Sequence, residues 1–281
     1  MSSKKFPVLE VFTSIQGEGK WTGEPSVFVR VAGCNLRCVF GNSRCDTPYS
    51  SFELEKPITD TVDGAVELVK AELEKNPMVT HLVLTGGEPM LYKEAIKEFY
   101  MSLIEDYELR LTIETNGSLP ALGPWGVDYD GSDEDFNYWV DLYSVSPKLS
   151  TSVDKQCKFL TAKQAEDHDL KRINIENLAS YWKAISKAQD EDGGEDAQFQ
   201  LKFVYSGPES VEEIKDIIEH VAGKCGFNAG YFNQYVMLMP EGTTNEQLEK
   251  ISQECAEVCI REGWRFCDRL HIRIWGDKRG V

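Results

Sequence analysis

The sequence predicts an α/β protein in which parallel strands are joined by helical crossovers and ligands bind at the carboxyl ends of the strands. Three observations carry this. Short apolar runs alternate with segments of helical periodicity along most of the chain. Several of those runs end in glycine next to a carboxylate, amide or hydroxyl. A length of 281 residues is enough for one α/β domain with a sizeable core, so a single domain over residues 1–281 is expected, with acidic loops inserted near 120–137 and 149–197.

In chain order, residues 8–12 and 27–31 are apolar runs of strand length, separated by Gln16-Gly17-Glu18-Gly19. The two glycines let backbone approach a ligand, while Gln16 and Glu18 offer an amide and a carboxylate; a plain turn would use the same glycines. Arg30 stands among apolar neighbours, where an arginine must meet a carboxylate or phosphate. Residues 63–75 repeat apolar side chains at helical spacing, with Asp63 as cap. Residues 81–86 form a strand running into Gly86-Gly87-Glu88-Pro89, 92–104 a helix, and 109–115 a strand running into Asn116-Gly117. Residues 139–145 return to a strand that ends in Ser146-Pro147-Lys148. A helix over 175–189, a strand over 198–205, a helix over 211–221 and a strand over 235–239 follow. The pattern closes with a helix over 245–262 and a last strand over 264–275, in which Leu270, Ile272 and Ile274 share one face and His271 takes the other.

Between the second strand and the first helix lie Cys34, Cys38 and Cys45. Three thiols so close in sequence point to a metal centre. Structural zinc takes four ligands, usually in pairs, and no second pair stands at a suitable spacing. An iron-sulfur cluster fits better, because three cysteines on a four-iron cluster leave one iron open to a cofactor or substrate. Asp46 and Thr47 supply hard oxygens of the kind magnesium prefers. Cys255 and Cys259 fall at i and i+4 on a helix, where small buried cysteines are common.

Composition narrows the function. Net charge is -17, which opposes a broad phosphate-contacting surface and so excludes nucleic acid as a partner. Eight cysteines in a chain starting Met-Ser-Ser-Lys-Lys, without a signal-like apolar core, imply a reducing, cytoplasmic setting. No apolar run reaches the roughly 20 residues that span a bilayer.

Taken together, the cysteine loop with Cys45-Asp46-Thr47, Ile15-Gln16-Gly17-Glu18, Gly86-Gly87-Glu88-Pro89, Glu114-Thr115-Asn116-Gly117 and Ser146-Pro147-Lys148 resemble the 7-carboxy-7-deazaguanine synthase subfamily of radical S-adenosylmethionine enzymes. The usual radical-enzyme motif is C-x3-C-x2-C, whereas six residues separate Cys38 from Cys45 here. The resemblance implies a modified, partial (β/α) barrel, a homodimer, an electron donor such as flavodoxin, and a lyase that turns 6-carboxy-5,6,7,8-tetrahydropterin into 7-carboxy-7-deazaguanine and ammonia. It implies a 4Fe-4S cluster on Cys34, Cys38 and Cys45, with magnesium on Thr47. It implies substrate contacts at Ile15, Gln16, Gly17, Glu18, Arg30, Thr85, His271 and Val281. S-adenosylmethionine would meet Arg44, Cys45, Asp46, Gly87, Glu88, Glu114, Asn116, Ser146, Pro147, Lys148, Met239, Pro240 and Glu241. An activating enzyme that makes a glycyl radical on a partner protein, or a zinc-binding regulator, would share parts of this pattern.

Overall fold

The computed structural model describes residues 4–41, 43–122, 140–153, 157–192 and 198–281, the side chains of 187–192 excepted. Most of the acidic loop expected at 120–137 lies outside the described residues. The chain opens with an antiparallel pair, β1 (Lys5–Ile15) and β2 (Pro25–Val31), in register from Glu10↔Arg30 to Ile15↔Pro25, with a shift between Val8 and Glu10. Their connection is closed by hydrogen bonds of 2.7 Å from the Gln16 amide to the Glu24 carbonyl and from the Gly23 amide to the Gln16 carbonyl. A small ribbon, β3 (Val39–Phe40) and β4 (Ser43–Arg44), stands apart from the main sheet. β5 (Thr59–Thr61) edges β1 in the antiparallel sense.

From β2 onward each strand is added in parallel: β6 (His81–Gly86), β7 (Arg110–Thr115), β8 (Val140–Val145), β9 (Gln198–Tyr205), β10 (Val236–Pro240) and β11 (Arg265–Phe266). Among the described residues the main sheet has nine strands in the order β11-β10-β9-β8-β7-β6-β2-β1-β5. The two ends of that order do not pair, so the sheet is a partial barrel, as expected. Helices Val62–Lys75, Lys93–Ile104, Ile175–Asp192, Ser210–Lys224 and Asn245–Glu262 make the crossovers.

These helices form where apolar residues recur at three and four. Val62, Ala65, Val66, Val69 and Leu73 are the buried stripe of the first one. Its cap is Thr61, extended and accepting the Gly64 amide, rather than the predicted Asp63, which sits inside the first turn. The stretch 149–197, expected as an insertion with one helix over 175–189, carries that helix, Ile175–Asp192, and another ahead of it, Ala162–Lys171. The latter is announced by a capping box, Thr161 with Gln164. The predicted last strand is also corrected. β11 pairs with β10 only at Arg265 and Phe266, and Leu270–Trp275 is a short helix. Burial explains the change: Ile272 is 3% exposed but Ile274 is 52% exposed, so the alternate residues do not share a buried face.

The two faces of the sheet differ in chemistry. Val29, Leu82, Leu84, Leu111, Ile113, Leu201 and Phe203 belong to the apolar core under the helices. The concave face is tied across strands by polar groups. The His81 ring shares hydrogen bonds with Ser26 of β2 (2.7 Å) and Thr112 of β7 (2.8 Å). Nearer the carboxyl ends, Thr85 donates to Glu114 at 2.7 Å and Gln200 donates to Ser144 at 2.7 Å.

His81 is fully buried, and burial, helped by the charge of Arg110, pushes its pKa down from 6.5 to about 3. The folded state therefore binds fewer protons than the unfolded chain once pH drops below 6.5, and stability falls with pH over that window. Between pH 6.5 and 5 this one group should cost about 2 kcal/mol. Denaturant titrations at the two pH values should show that loss, and His81→Gln, which keeps an amide between the two hydroxyls, should reduce the pH slope. An unchanged slope would contradict the neutral, buried assignment.

Candidate active site

The carboxyl ends of β6 to β10 open into one cavity of about 710 Å³, completed by the cysteine loop, the β1–β2 connection and residues 277–281. Of the predicted residues, Ile15, Gly17, Glu18, Arg30, Cys34, Cys38, Arg44, Cys45, Asp46, Thr47, Thr85, Gly87, Glu114, Asn116, Ser146, Lys148, Met239, Pro240, Glu241, His271 and Val281 line it. Gln16, Glu88 and Pro147 do not.

Each of these three sits behind the wall for a physical reason. Gln16 is 4% exposed; its amide donates to Glu114 Oε1 (3.2 Å) and its carbonyl oxygen accepts the Glu18 amide (3.2 Å). Glu88 is fully buried and accepts from Thr115 Oγ1 (2.7 Å), Asn116 N (2.7 Å) and Met90 N (3.0 Å). Burial raises its pKa against these three hydrogen bonds. Glu88 joins the end of β6 to the end of β7. Pro147 is buried at the turn after β8.

The longer interval between Cys38 and Cys45 is absorbed by the small ribbon. Val39 pairs with Arg44 and Phe40 with Ser43, and the Cys45 amide donates to the Cys38 carbonyl at 3.0 Å. A hairpin thus leaves at Cys38 and returns at Cys45, so the extra residues do not separate the two cysteines. Cys34 Sγ faces the Leu36 amide at 3.4 Å and the Asn116 amide nitrogen at 3.9 Å.

Among the described residues no three Cys, His, Asp or Glu side chains form a metal site on distance alone; what groups these cysteines is one shared cavity wall. Their chemistry still fits a cluster. Burial raises all three thiols, Cys38 to about 12, so only a bound cationic centre would keep them as thiolates. N–H groups directed at Cys34 sulfur are the surroundings such clusters use.

The opposite wall is a charge cluster. Lys202 of β9 pairs with Glu18 Oε2, Arg269 Nε meets Glu18 Oε1 at 2.9 Å, and Arg269 Nη2 meets Asp46 Oδ2 at 2.7 Å. Burial alone would raise the Glu18 carboxyl, but Lys202, Arg269 and His271 outweigh it and hold the group well below its usual range. It stays an anionic acceptor. Arg30 pairs with Glu10 at 2.8 Å while lining the cavity, and its guanidinium lies 5.8 Å from the Phe12 ring and 5.9 Å from that of Tyr49. Arg279 lies 3.7 Å from the Tyr49 ring and forks onto both Glu55 oxygens, at 3.0 and 2.9 Å. Thr47 Oγ1 donates to Asp46 Oδ1 at 3.1 Å.

Sequence reasoning missed Lys202, Arg269, Tyr49 and Arg279. Lys202 carried a signal, since Gln198, Gln200 and Lys202 alternate with Phe199, Leu201 and Phe203. Two glycines are fixed by close approach. A Cβ on Gly87 would lie 1.8 Å from the Gly33 carbonyl oxygen, and one on Gly17 would lie 2.0 Å from His271 Nδ1.

A partial parallel barrel with a three-cysteine loop at its mouth is the arrangement of radical S-adenosylmethionine enzymes, and the family model described as "Radical SAM superfamily" matches residues 28–141. The chain is 34% identical to a 7-carboxy-7-deazaguanine synthase of Halobacterium salinarum, over 96% of this chain and 91% of that protein. It is 31% identical to one of Rhodopirellula baltica, over 100% and 90%. The chain belongs to the 7-carboxy-7-deazaguanine synthase family, and is thus a radical S-adenosylmethionine enzyme of deazapurine biosynthesis. Its fold matches the crystal structure of QueE from Escherichia coli with a TM-score of 0.55, at 20% identity over 95% of each chain. No helix among the described residues is long and apolar enough to cross a membrane.

The 1.8 Å approach at Gly87 leaves only backbone to yield. Gly87→Ala should therefore lower stability by roughly 2–4 kcal/mol in denaturant melts and abolish S-adenosylmethionine binding by calorimetry. A variant with wild-type stability and affinity would mean that the strand end does not cradle the cofactor.

Proposed function

We propose that this single-domain enzyme converts 6-carboxy-5,6,7,8-tetrahydropterin to 7-carboxy-7-deazaguanine and ammonia. The observation that carries the proposal is one cavity lined on one side by Cys34, Cys38 and Cys45 and on the other by Arg30, Glu18, Glu114 and His271. Cys34, Cys38 and Cys45 would hold a 4Fe-4S cluster, which would supply the one-electron reduction of S-adenosylmethionine that removal of a non-acidic hydrogen requires.

The protein's own groups position the reactants. Gly87 leaves backbone bare where the amino-acid end of the cofactor would lie, and Ser146, Lys148, Asn116, Met239, Pro240 and Glu241 frame the rest of that side. Glu18, kept anionic by its two cations, accepts from the N–H edge of a pterin. Arg30 meets the substrate carboxylate with the guanidinium edge not spent on Glu10. Thr47 and Asp46 offer two hard oxygens for Mg²⁺ beside that carboxylate. Holding both reactants in contact distance is where such a site gains most of its rate. A homodimer and a flavodoxin-type electron donor complete the proposal.

Anaerobically reconstituted protein with reductant, S-adenosylmethionine, Mg²⁺ and the carboxypterin should yield carboxydeazaguanine by mass spectrometry. Cys45→Ala should lose the cluster absorbance and the product together. If 5′-deoxyadenosine forms without carboxydeazaguanine, the substrate is wrong while the radical chemistry stands.

A further inference from the structure

We propose that Arg269 is a positioning residue that sets the far end of the three-cysteine loop by tying Asp46 to the Glu18 segment. The proposal rests on the assignment of Cys45 as a cluster ligand. Arg269 has no precedent in the sequence pattern, because it falls where a plain edge strand was expected.

The two ends of the cysteine loop are held differently. Around Cys34 the chain is fixed by the fold itself: the Gly33 amide donates to the Ser50 carbonyl (2.8 Å), Asn35 donates to Ser118 (2.8 Å), the Arg37 amide donates to His168 (2.9 Å), and Leu36 is 1% exposed. The far end returns through a ribbon outside the main sheet. Its flanking ion pair, Arg44 with Glu53, uses a carboxylate side chain that is 68% exposed, and such pairs contribute little. Backbone bonds tie this end locally, from the Cys45 amide to the Cys38 carbonyl (3.0 Å) and from the Ser50 amide to the Thr47 carbonyl (3.1 Å); the charged tie that reaches across the cavity from it is Asp46 with Arg269.

Arg269 is suited to that role. Its side chain is 10% exposed and reaches three separate segments: Glu18 Oε1 at 2.9 Å, Asp46 Oδ2 at 2.7 Å and the Gly242 carbonyl at 2.7 Å. The backbone that carries it is anchored on either side, by the Cys267 amide on the Leu238 carbonyl (2.8 Å) and the Leu270 amide on the Gly17 carbonyl (2.9 Å). A planar fork on fixed backbone fixes direction as well as distance. The Glu18 charge works against that of Asp46, and Arg269 pairs with both. Remove it, and Glu18 still has Lys202. Among the described residues Asp46 then keeps hydrogen bonds to its neighbours in sequence, Thr47 and Cys45, and swings away from the repelling carboxylate, carrying Cys45 with it.

Hydrogen–deuterium exchange on the full chain, with and without cluster, tests this. In Arg269→Gln, amides of residues 43–51 should exchange at least tenfold faster, while those of 81–86 and 201–205 stay at wild-type rates. Asp46→Asn, which breaks the tie from the other side and leaves Arg269 on Glu18, should give the same local pattern. Loaded Arg269→Gln should also release more 5′-deoxyadenosine per carboxydeazaguanine formed, and Arg269→Lys should restore part of that ratio. Unchanged exchange at 43–51 in either variant would overturn the proposal, as would uniform acceleration across all segments. The exchange experiment needs no substrate, so a failed product assay would sink the substrate assignment and leave this one standing.

Discussion

One buried carboxylate sits at the centre of the contacts that close this molecule. Glu18 sits in the connection between β1 and β2, and its two partners come from far along the chain, Lys202 on β9 and Arg269 beyond β11. In the sheet, β2 and β9 are separated by β6, β7 and β8, so the pairing spans the open concavity rather than neighbouring strands. A twisted, unclosed sheet has no hydrogen-bonded ladder to hold its two sides at a fixed separation. The ion cluster does so together with the Gly19 amide on Cys267 Sγ, the Lys20 amide on Gln200 and the Leu270 amide on the Gly17 carbonyl, each at 2.9 Å.

That arrangement has a cost that the rest of the fold is built to limit. Buried ion pairs gain little over apolar packing, yet removing one partner costs about 3–5 kcal/mol because the other is left uncompensated. Here both Glu18 oxygens are matched, and Arg269 distributes its donors over Glu18, Asp46 and the Gly242 carbonyl. The concave face below carries polar layers, with Ser26, His81 and Thr112 in one and Thr85, Glu114, Ser144 and Gln200 in the next. Stability comes from the other face, where the apolar stripes of the crossover helices cover Leu82, Leu84, Leu111, Ile113, Leu201 and Phe203. One face supplies the core so that the other can remain polar and functional.

The lengthened cysteine loop follows the same logic. Additional residues between Cys38 and Cys45 form a self-contained ribbon whose backbone bond at its base returns Cys45 to Cys38. Loop insertions that close on themselves cost little, because local pairing brings their ends together. The departure from the usual spacing therefore alters the rim of the site and leaves its donor set in place.

Much of this was legible in residue order. The alternation of apolar runs with helical stripes gave the parallel α/β sheet, since buried parallel strands read as continuous apolar segments. Glycine and polar groups at strand ends marked the cavity, because there the backbone runs out of ladder partners. What sequence order did not show were the partners that groups find far away. Glu88, expected at the cofactor, accepts from Thr115, Asn116 and Met90 behind the cavity wall. Leu270, Ile272 and Ile274 alternate as in a strand, but β10 leaves room to pair only two residues before Leu270 is drawn to Gly17. The sequence by itself determined which residue types gather at the strand ends, through local periodicity and glycine. Only the tertiary structure decided which charges meet, because Lys202, Arg269 and Glu18 are brought together by sheet curvature, which no local pattern encodes.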